Sequence, residues 1–260
     1  MQTQDGDGAM GLLESARKEM MTVAMMKLKA RKEVAEGTME FLLEKPAGFD
    51  FKPGQAMEVK LNNPPETDGE GNSRAFSIAS APYEPDIMFA TRMRDTAMKR
   101  SLKKIPIGTE LDIDGPWGDL KLHTRAARPA VFIAGGIGIT PFRSMVMDAA
   151  HNKLGHKISL FYSNRRPEDT AFLDDLTRAE KENPNFKLIA TMTEMEKSSR
   201  PWNGKTGVVT KAMISGALPD LSEPIFYLAG PGGMLTAMQK LLLGAGVNED
   251  DIRAEEFAGY

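Results

Sequence analysis

A short glycine-rich turn is the strongest chemical feature of this sequence. Gly135, Gly136 and Gly138 separate a short apolar run from a segment whose apolar residues recur at helical spacing. Glycine permits backbone angles that other residues cannot adopt and lets a ligand approach the chain closely. Because the N–H groups and the positive dipole end at a helix start favour an anion, the turn predicts a phosphate-binding site after a buried parallel strand.

The turn matches only part of the dinucleotide-binding fingerprint. Gly136 and Gly138 supply the first two glycines of G-x-G-x-x-G, but Pro141 stands at the position of the third. We expect Thr140 to cap the following helix and Pro141 to be its first residue. On this stretch alone, a strand-to-helix turn without a ligand is the alternative.

A second chemical cluster contains Arg74, Phe76 and Ser77, which follow a polar loop from residue 62 to residue 72. A guanidinium group can bind phosphate through paired N–H groups, and an aromatic ring can pack on another flat ring. The hydroxyl of Ser77 can donate a hydrogen bond to such a ring. The functional interpretation is therefore a ligand with a phosphate and a flat ring, and the alternative is an ordinary strand with a surface arginine.

The remaining residue types exclude several kinds of chemistry. The chain has no cysteine, which excludes disulfides, thiolate zinc sites and an iron–sulfur cluster of the usual kind. Its three histidines lack metal-ligand spacing, and no G-x-S-x-G segment indicates a serine hydrolase. We therefore expect a bound organic cofactor and no metal site.

Composition bounds the class of protein. A hydrophobic content of 41% supports a substantial core, and a net charge of −3 argues against binding to nucleic acid. No apolar run is long enough to span a membrane, and the start of the chain lacks the pattern of a signal peptide. These features predict a cytoplasmic protein.

The pattern of elements predicts two domains after a flexible tail at residues 1–20. Residues 21–124 contain short strands separated by turn residues, which is typical of a small antiparallel barrel. Residues 125–260 alternate strand and helix, which predicts a parallel sheet covered by helices on both faces. We place the domain boundary near Thr124, in a basic stretch without an apolar pattern.

Three motifs together resemble those of the ferredoxin–NADP reductase-type flavoproteins. The similarity covers residues 22–260 and depends on the order and spacing of all three motifs. They are Phe51-x-Pro53-Gly54-Gln55, Arg74-x-Phe76-Ser77-x-Ala79-Ser80 and Gly135-Gly136-x-Gly138-x-Thr140-Pro141. The resemblance implies an N-terminal antiparallel flavin-binding β-barrel followed by a C-terminal parallel-sheet nucleotide-binding domain.

The resemblance also implies an oxidoreductase that transfers hydride from NADH or NADPH to bound FAD. Electrons then leave to a separate acceptor, such as ferredoxin or another carrier protein, or a partner oxygenase or haem protein. The alternatives are a reductase of free flavin or ferric iron, and a non-catalytic nucleotide-binding subunit of a larger complex. The sequence leaves the acceptor, the preferred nucleotide and the oligomeric state open.

In the barrel, the resemblance assigns Arg74 to the flavin pyrophosphate and Phe76 to the flavin ring. Ser77 lies near the reactive nitrogen. The family usually has tyrosine where this chain has Phe76, so the stacking face is retained and the phenol hydroxyl is lost. The further cofactor-binding positions in this half are Ile78, Thr91, Thr96, Met98 and Lys99.

In the second half, the glycine turn and Thr140 are assigned to the nucleotide. Ser163, Arg165 and Arg166 follow the second strand, where an acid would favour NAD and an arginine NADP. The absence of an acid at the strand end slightly favours NADPH. Further on, Ala229, Gly230 and Pro231 resemble the family's Cys-Gly-Pro turn beneath the nicotinamide.

Ala229 replaces the cysteine of that turn, and we expect slower hydride transfer or altered nucleotide selectivity rather than loss of activity. Ser77, Ala229 and Tyr260 are thus the predicted catalytic positions. Tyr260 is the candidate aromatic that covers the flavin, with Phe257 second. A glutamate, either Glu255 or Glu256, would help to protonate the flavin.

The segment from residue 86 to residue 104 contains six Lys or Arg and two Asp. A solvated helix face is one explanation. The other is a docking patch for a separate, acidic redox protein.

Overall fold

The structure, a computed structural model, describes residues 22–218 and 220–257. Within these residues the chain forms two six-stranded sheets joined by the segment 118–129. The predicted tail at residues 1–20 and the predicted flavin-covering residue Tyr260 lie outside the described residues.

The first sheet is antiparallel and closes into the predicted barrel. Its strand order is β4-β3-β6-β1-β2-β5, and the Ala79 N–H closes it by donating to the Met88 carbonyl at 2.7 Å. One helix, α1, lies between β5 and β6. The elements are β1 Thr22–Ala35, β2 Thr38–Glu44, β3 Ala56–Leu61, β4 Ser73–Ser77, β5 Asp86–Arg92, α1 Ala97–Lys104 and β6 Glu110–Trp117.

Period-two alternation explains these strands. In β3, Met57, Val59 and Leu61 are buried while Glu58 and Lys60 are exposed, as expected for a strand with one face in a core. β1 extends well beyond its apolar residues. Its first half pairs with β6, and its charged second half is a strand because it pairs with β2.

The second sheet is parallel with the order β10-β9-β8-β7-β11-β12. Helices cover both of its faces, and every residue of β7 and β11 is buried, as expected for central parallel strands. Its strands are β7 Ala130–Gly135, β8 Ile158–Asn164, β9 Phe186–Met192, β10 Lys205–Thr206, β11 Ile225–Gly230 and β12 Ile252–Glu256. Its helices are α2 Ile139–His151, α3 Leu173–Glu182, α4 Lys211–Ala217 and α5 Gly232–Gly244.

The two sheets share one hydrophobic core through α2. Phe142 and Met145 of α2 belong to the same buried cluster as Ala79, Met88 and Ala90 of the barrel. The predicted boundary near Thr124 falls between the sheets and stays a prediction. Among the described helices, none combines the length and the apolar character needed to cross a membrane.

Candidate functional site

A cleft of about 370 Å³ lies where the barrel meets the second sheet. Both halves contribute to its wall, because β4, β5 and α1 line it from the barrel while the glycine turn and the end of the chain line it from the other side. The lining residues are Glu70, Arg74, Ala75, Phe76, Ser77, Ala90, Thr91, Arg92, Arg94, Thr96, Lys99, Ile137, Thr140 and Phe257. The structure therefore brings together most of the site residues predicted in the barrel.

Aromatic rings form one wall of this cleft. The ring of Phe76 stacks on Phe89 with centroids 4.7 Å apart, and Phe89 stacks on Phe41 at 5.0 Å. Phe76 is only partly buried and lines the cleft, whereas Phe89 and Phe41 are buried behind it. The stack holds the Phe76 ring in place and offers a flat apolar surface to a ligand.

Positive charge is in excess around the cleft. Arg74, Arg92, Arg94 and Lys99 line it against the single carboxylate of Glu70. Burial lowers the pKa of Lys99, and the nearby charges of Arg94 and Arg74 lower this pKa further. An anion placed among these groups would relieve their repulsion.

The start of α1 adds to this anion-binding character. Thr96 is the N-cap, and its side-chain oxygen accepts from the Lys99 backbone N–H at 3.4 Å. Sequence reasoning missed Asp68, whose carboxylate accepts the Ala97 N–H at 2.8 Å. That hydrogen bond lowers the pKa of Asp68. Arg74 likewise pairs with Glu70 of the same loop, so this loop lies directly on the predicted phosphate site.

Two of the site residues predicted in the barrel do not line the cleft. The side chains of Ile78 and Met98 are buried in the barrel core, because Met98 belongs to the apolar face of α1 and Ile78 follows the last residue of β4. Any contact of these residues with a ligand would involve their backbone atoms. Thr91 is buried but does line the cleft.

The glycine turn differs in detail from the sequence prediction. Gly136–Gly138 form one turn of 3-10 helix, and α2 begins at Ile139. The prediction that Thr140 caps the helix is wrong, because its hydroxyl donates to the Ile137 carbonyl at 3.1 Å instead. Pro141 is accordingly the third residue of α2 and not the first.

The glycines also have a packing role. A Cβ on Gly138 would lie 2.3 Å from the carbonyl oxygen of Ala229, and one on Gly230 would lie 3.1 Å from the backbone nitrogen of Gly135. The turns that follow β7 and β11 therefore contact each other at one edge of the sheet. This contact brings Ala229, Gly230 and Pro231 beside the glycine turn.

The end of β8 does not present two free arginines. Arg166 donates to Asp169 at 2.9 and 3.0 Å and to Glu36 of the barrel at 3.0 Å. Arg165 is exposed and lies 3.8 Å from Glu194. Asp169, three residues after Arg166, and Glu36 and Glu194 from other segments thus lie at this strand end, which weakens the argument for NADPH.

Ser163 and Asn164 are the last residues of β8. Ser163 is partly buried, while Asn164 is buried and its side-chain amide has no hydrogen-bond partner among the described residues. Such an unsatisfied group calls for an explanation. Asn164 was not among the predicted site residues, although it lies between Ser163 and Arg165 in the sequence.

The last described residues distinguish the two candidate glutamates. Glu255 pairs with Ala229 across β12 and β11, and burial raises the pKa of its carboxyl group. Glu256 is exposed. Phe257, the second-choice aromatic, lines the cleft.

The basic segment is less positive than its sequence indicates. Arg100 pairs with Glu66 at 2.7 Å and also with Asp95, and Lys104 lies 3.7 Å from Glu66. Glu66 comes from the loop before β4 and was not considered with this segment. The excess of positive charge in this segment therefore lies at the cleft, on Arg92, Arg94 and Lys99.

Comparisons with known proteins agree with this geometry. A family model described as the oxidoreductase NAD-binding domain matches residues 132–240. The glycine betaine monooxygenase reductase subunit of Chromohalobacter salexigens is 29% identical over 223 residues, covering 85% of this chain and 60% of the relative. The propane 2-monooxygenase reductase component of Rhodococcus jostii is 26% identical, covering 82% of this chain and 57% of the relative.

A solved structure supports the fold. The ferredoxin NADP+ reductase of Neisseria gonorrhoeae with bound FAD and NADP superposes with a TM-score of 0.74 at 22% identity, covering 90% of this chain and 98% of that one. The barrel and the parallel sheet have the same two-sheet architecture as that reductase. Residues 132–240 match the NAD-binding family model, and most of the chain is similar to ferredoxin–NADP reductase-type FAD/NAD-binding oxidoreductases. The chain spans about 60% of the length of the first curated relative.

Proposed function

We propose that this chain is a reductase in which bound FAD accepts hydride from NADH or NADPH. The electrons then pass to a separate acceptor. The observation that carries the proposal is the cleft itself, where an aromatic wall and excess positive charge from the barrel meet the glycine turn of the second sheet. A flavin has the matching parts, a flat ring and phosphates. The residues present therefore fit this cofactor.

The protein's contribution is mainly placement. When bound, FAD supplies a ring that accepts a hydride and releases electrons singly or in pairs. Phe76 orients that ring, and Ser77, which is buried beside it, offers a hydroxyl for hydrogen bonding. Arg74, Lys99 and the start of α1 hold the phosphates.

The second domain presents the nucleotide to the same cleft. The glycine turn and the Ala229–Pro231 turn lie side by side and would shape the nicotinamide site. Arg165, which is exposed after β8, would contact the ribose or its phosphate. Glu255, whose pKa is raised by burial, is the carboxyl group suited to holding a proton near this site. Holding the nicotinamide and flavin rings in the reactive arrangement is the main way in which such a site accelerates hydride transfer.

An absorbance spectrum of the purified protein, recorded before and after anaerobic addition of NADH or NADPH, tests the proposal. We expect flavin bands that bleach with at least one nucleotide, and the more effective nucleotide identifies the preference. Absence of flavin after reconstitution with FAD would contradict the proposal and favour a non-catalytic nucleotide-binding subunit.

The proposed acceptor is an acidic redox protein or an oxygenase component. Two relatives are named as reductase parts of monooxygenases, and Arg92 and Arg94 supply positive charge at the cleft. Arg94→Glu should raise the KM for a protein acceptor without raising the KM for ferric iron. If the wild-type protein and Arg94→Glu turn over equally fast with every carrier protein, a small-molecule reductase would be favoured instead. A cytoplasmic location stays part of this proposal, and cell fractionation tests it.

A further inference from the structure

One buried arginine joins the barrel to the helix that follows the glycine turn. Arg143, near the start of α2, is 3% exposed. Its guanidinium donates to the Ala79 carbonyl at 2.8 Å and to both carboxylate oxygens of Glu84 at 2.9 and 3.1 Å. Ala79 and Glu84 belong to the barrel loop 79–85, which follows β4.

The same arginine has a second carboxylate within its own domain. Its Nε donates to Asp175 of α3 at 2.8 Å, and Arg178 pairs with the other oxygen of Asp175 at 2.9 Å. Asp175 is therefore shared by two guanidinium groups, and Glu84 of the barrel supplies the second carboxylate of the cluster. The paired contact with Glu84 is an additional link that crosses the domain boundary, with the directional geometry that a guanidinium provides.

Two further contacts hold α2 against this loop. The Ser144 hydroxyl donates to the Ser80 carbonyl at 2.6 Å. At the other end of α2, the His151 ring stacks on Tyr83 with centroids 3.8 Å apart. The loop is thus fixed along the whole length of the helix.

These contacts join two segments that each follow one half of the proposed site in the sequence. The loop begins directly after Phe76 and Ser77, and α2 begins directly after the glycine turn. We propose that Arg143 is a positioning residue that fixes the nucleotide-binding turn relative to the flavin-binding strand. This inference rests on the proposed function, because hydride transfer requires the two reacting atoms to be held about 3–3.5 Å apart.

Two single substitutions separate this role from general stabilisation. Glu84→Gln weakens the link across the boundary, and Asp175→Asn, the matched control, weakens the link of the same arginine within its own domain. The side-chain amide introduced by Glu84→Gln still offers an oxygen to the Ala81 N–H, which donates to Glu84 at 2.6 Å. Both variants should lose comparable thermal stability.

Stopped-flow measurement of flavin reduction at saturating nucleotide tests the kinetic consequence. We expect E84Q to lower the rate constant about 10- to 100-fold, since a displacement of about 1 Å has an effect of this size. The nucleotide Kd should stay within about threefold of wild type in both variants, and D175N should reduce flavin at nearly the wild-type rate. Equal rates in E84Q and D175N would overturn the inference.

A second readout does not depend on turnover. Because the chain has no cysteine, spin labels can be attached at Lys60→Cys in the barrel and Lys240→Cys in α5, both of which are exposed. Pulsed electron paramagnetic resonance should show a broader distribution of label-to-label distances in E84Q than in D175N or the labelled parent protein. An unchanged distribution in E84Q would overturn the inference, whereas a parent protein whose flavin neither nucleotide bleaches would refute the proposed function instead.

Discussion

Opposite charge changes at the flavin phosphate site should have opposite effects on flavin affinity. Arg74 lines the cleft and pairs with Glu70, whose side chain is 66% exposed. Arg74→Gln removes charge-assisted hydrogen bonds to phosphate worth about 1.5–3 kcal/mol, which is a roughly 10- to 150-fold higher Kd for FAD. Glu70→Gln removes an exposed competitor for Arg74, worth about 0.5–1 kcal/mol, and should lower the Kd roughly two- to fivefold.

Titration of FAD into the flavin-free protein, followed by quenching of flavin fluorescence, measures these constants. Arg125→Gln is the matched control, because Arg125 is exposed and lies outside the cleft. The difference between Arg74→Gln and wild type should shrink as salt is added. If Arg74→Gln and Arg125→Gln bind FAD equally well, or if Glu70→Gln binds it more weakly, the assignment of this site to phosphate is refuted.

Three further predictions follow from individual residues. Gly138→Ala should lower the free energy of unfolding by roughly 1–3 kcal/mol, because the new Cβ would meet the Ala229 carbonyl. Thermal unfolding measures this loss, and an unchanged Tm would contradict the packing role of Gly138. Glu255→Gln should stabilise the protein at neutral pH but not below pH 4.5, the ordinary pKa of the group. Because burial raises the folded pKa, the unfolded state ionises first as pH rises, and stability falls between the two pKa values; pH-dependent unfolding of both proteins checks the sign. FAD affinity should fall as the pH rises and Lys99, whose pKa burial lowers, loses its charge at a lower pH than an ordinary lysine. Lys99→Arg should abolish that fall in FAD titrations at a series of pH values.

Much of the fold could be predicted from local patterns. The buried runs of β7 and β11 and the alternation in β3 are properties of short segments, so the barrel and the parallel sheet could be read from them. The predicted resemblance to the ferredoxin–NADP reductase-type flavoproteins is confirmed. The bounds of β1 could not be predicted, because its charged half is a strand only through pairing with β2.

The site differs from the sequence prediction for one local reason and one long-range reason. Thr140 has the residue type of an N-cap, but the preceding 3-10 turn moves the helix start before it. Glu36 reaches Arg166, and Asp68 reaches the start of α1, only through folding. The individual roles of the predicted site residues stay predictions until the binding experiments are done.

The core shared through α2 has a consequence for how the chain folds during synthesis. The barrel is translated first, yet the apolar surface around Ala79 and Met88 is covered by Phe142 and Met145, which lie some distance further along the chain. Until α2 leaves the ribosome, that surface is exposed to other apolar segments and to chaperones. A chain cut near Thr124 would keep it exposed permanently, so separate expression of the barrel should yield an aggregation-prone fragment although its strands are all present.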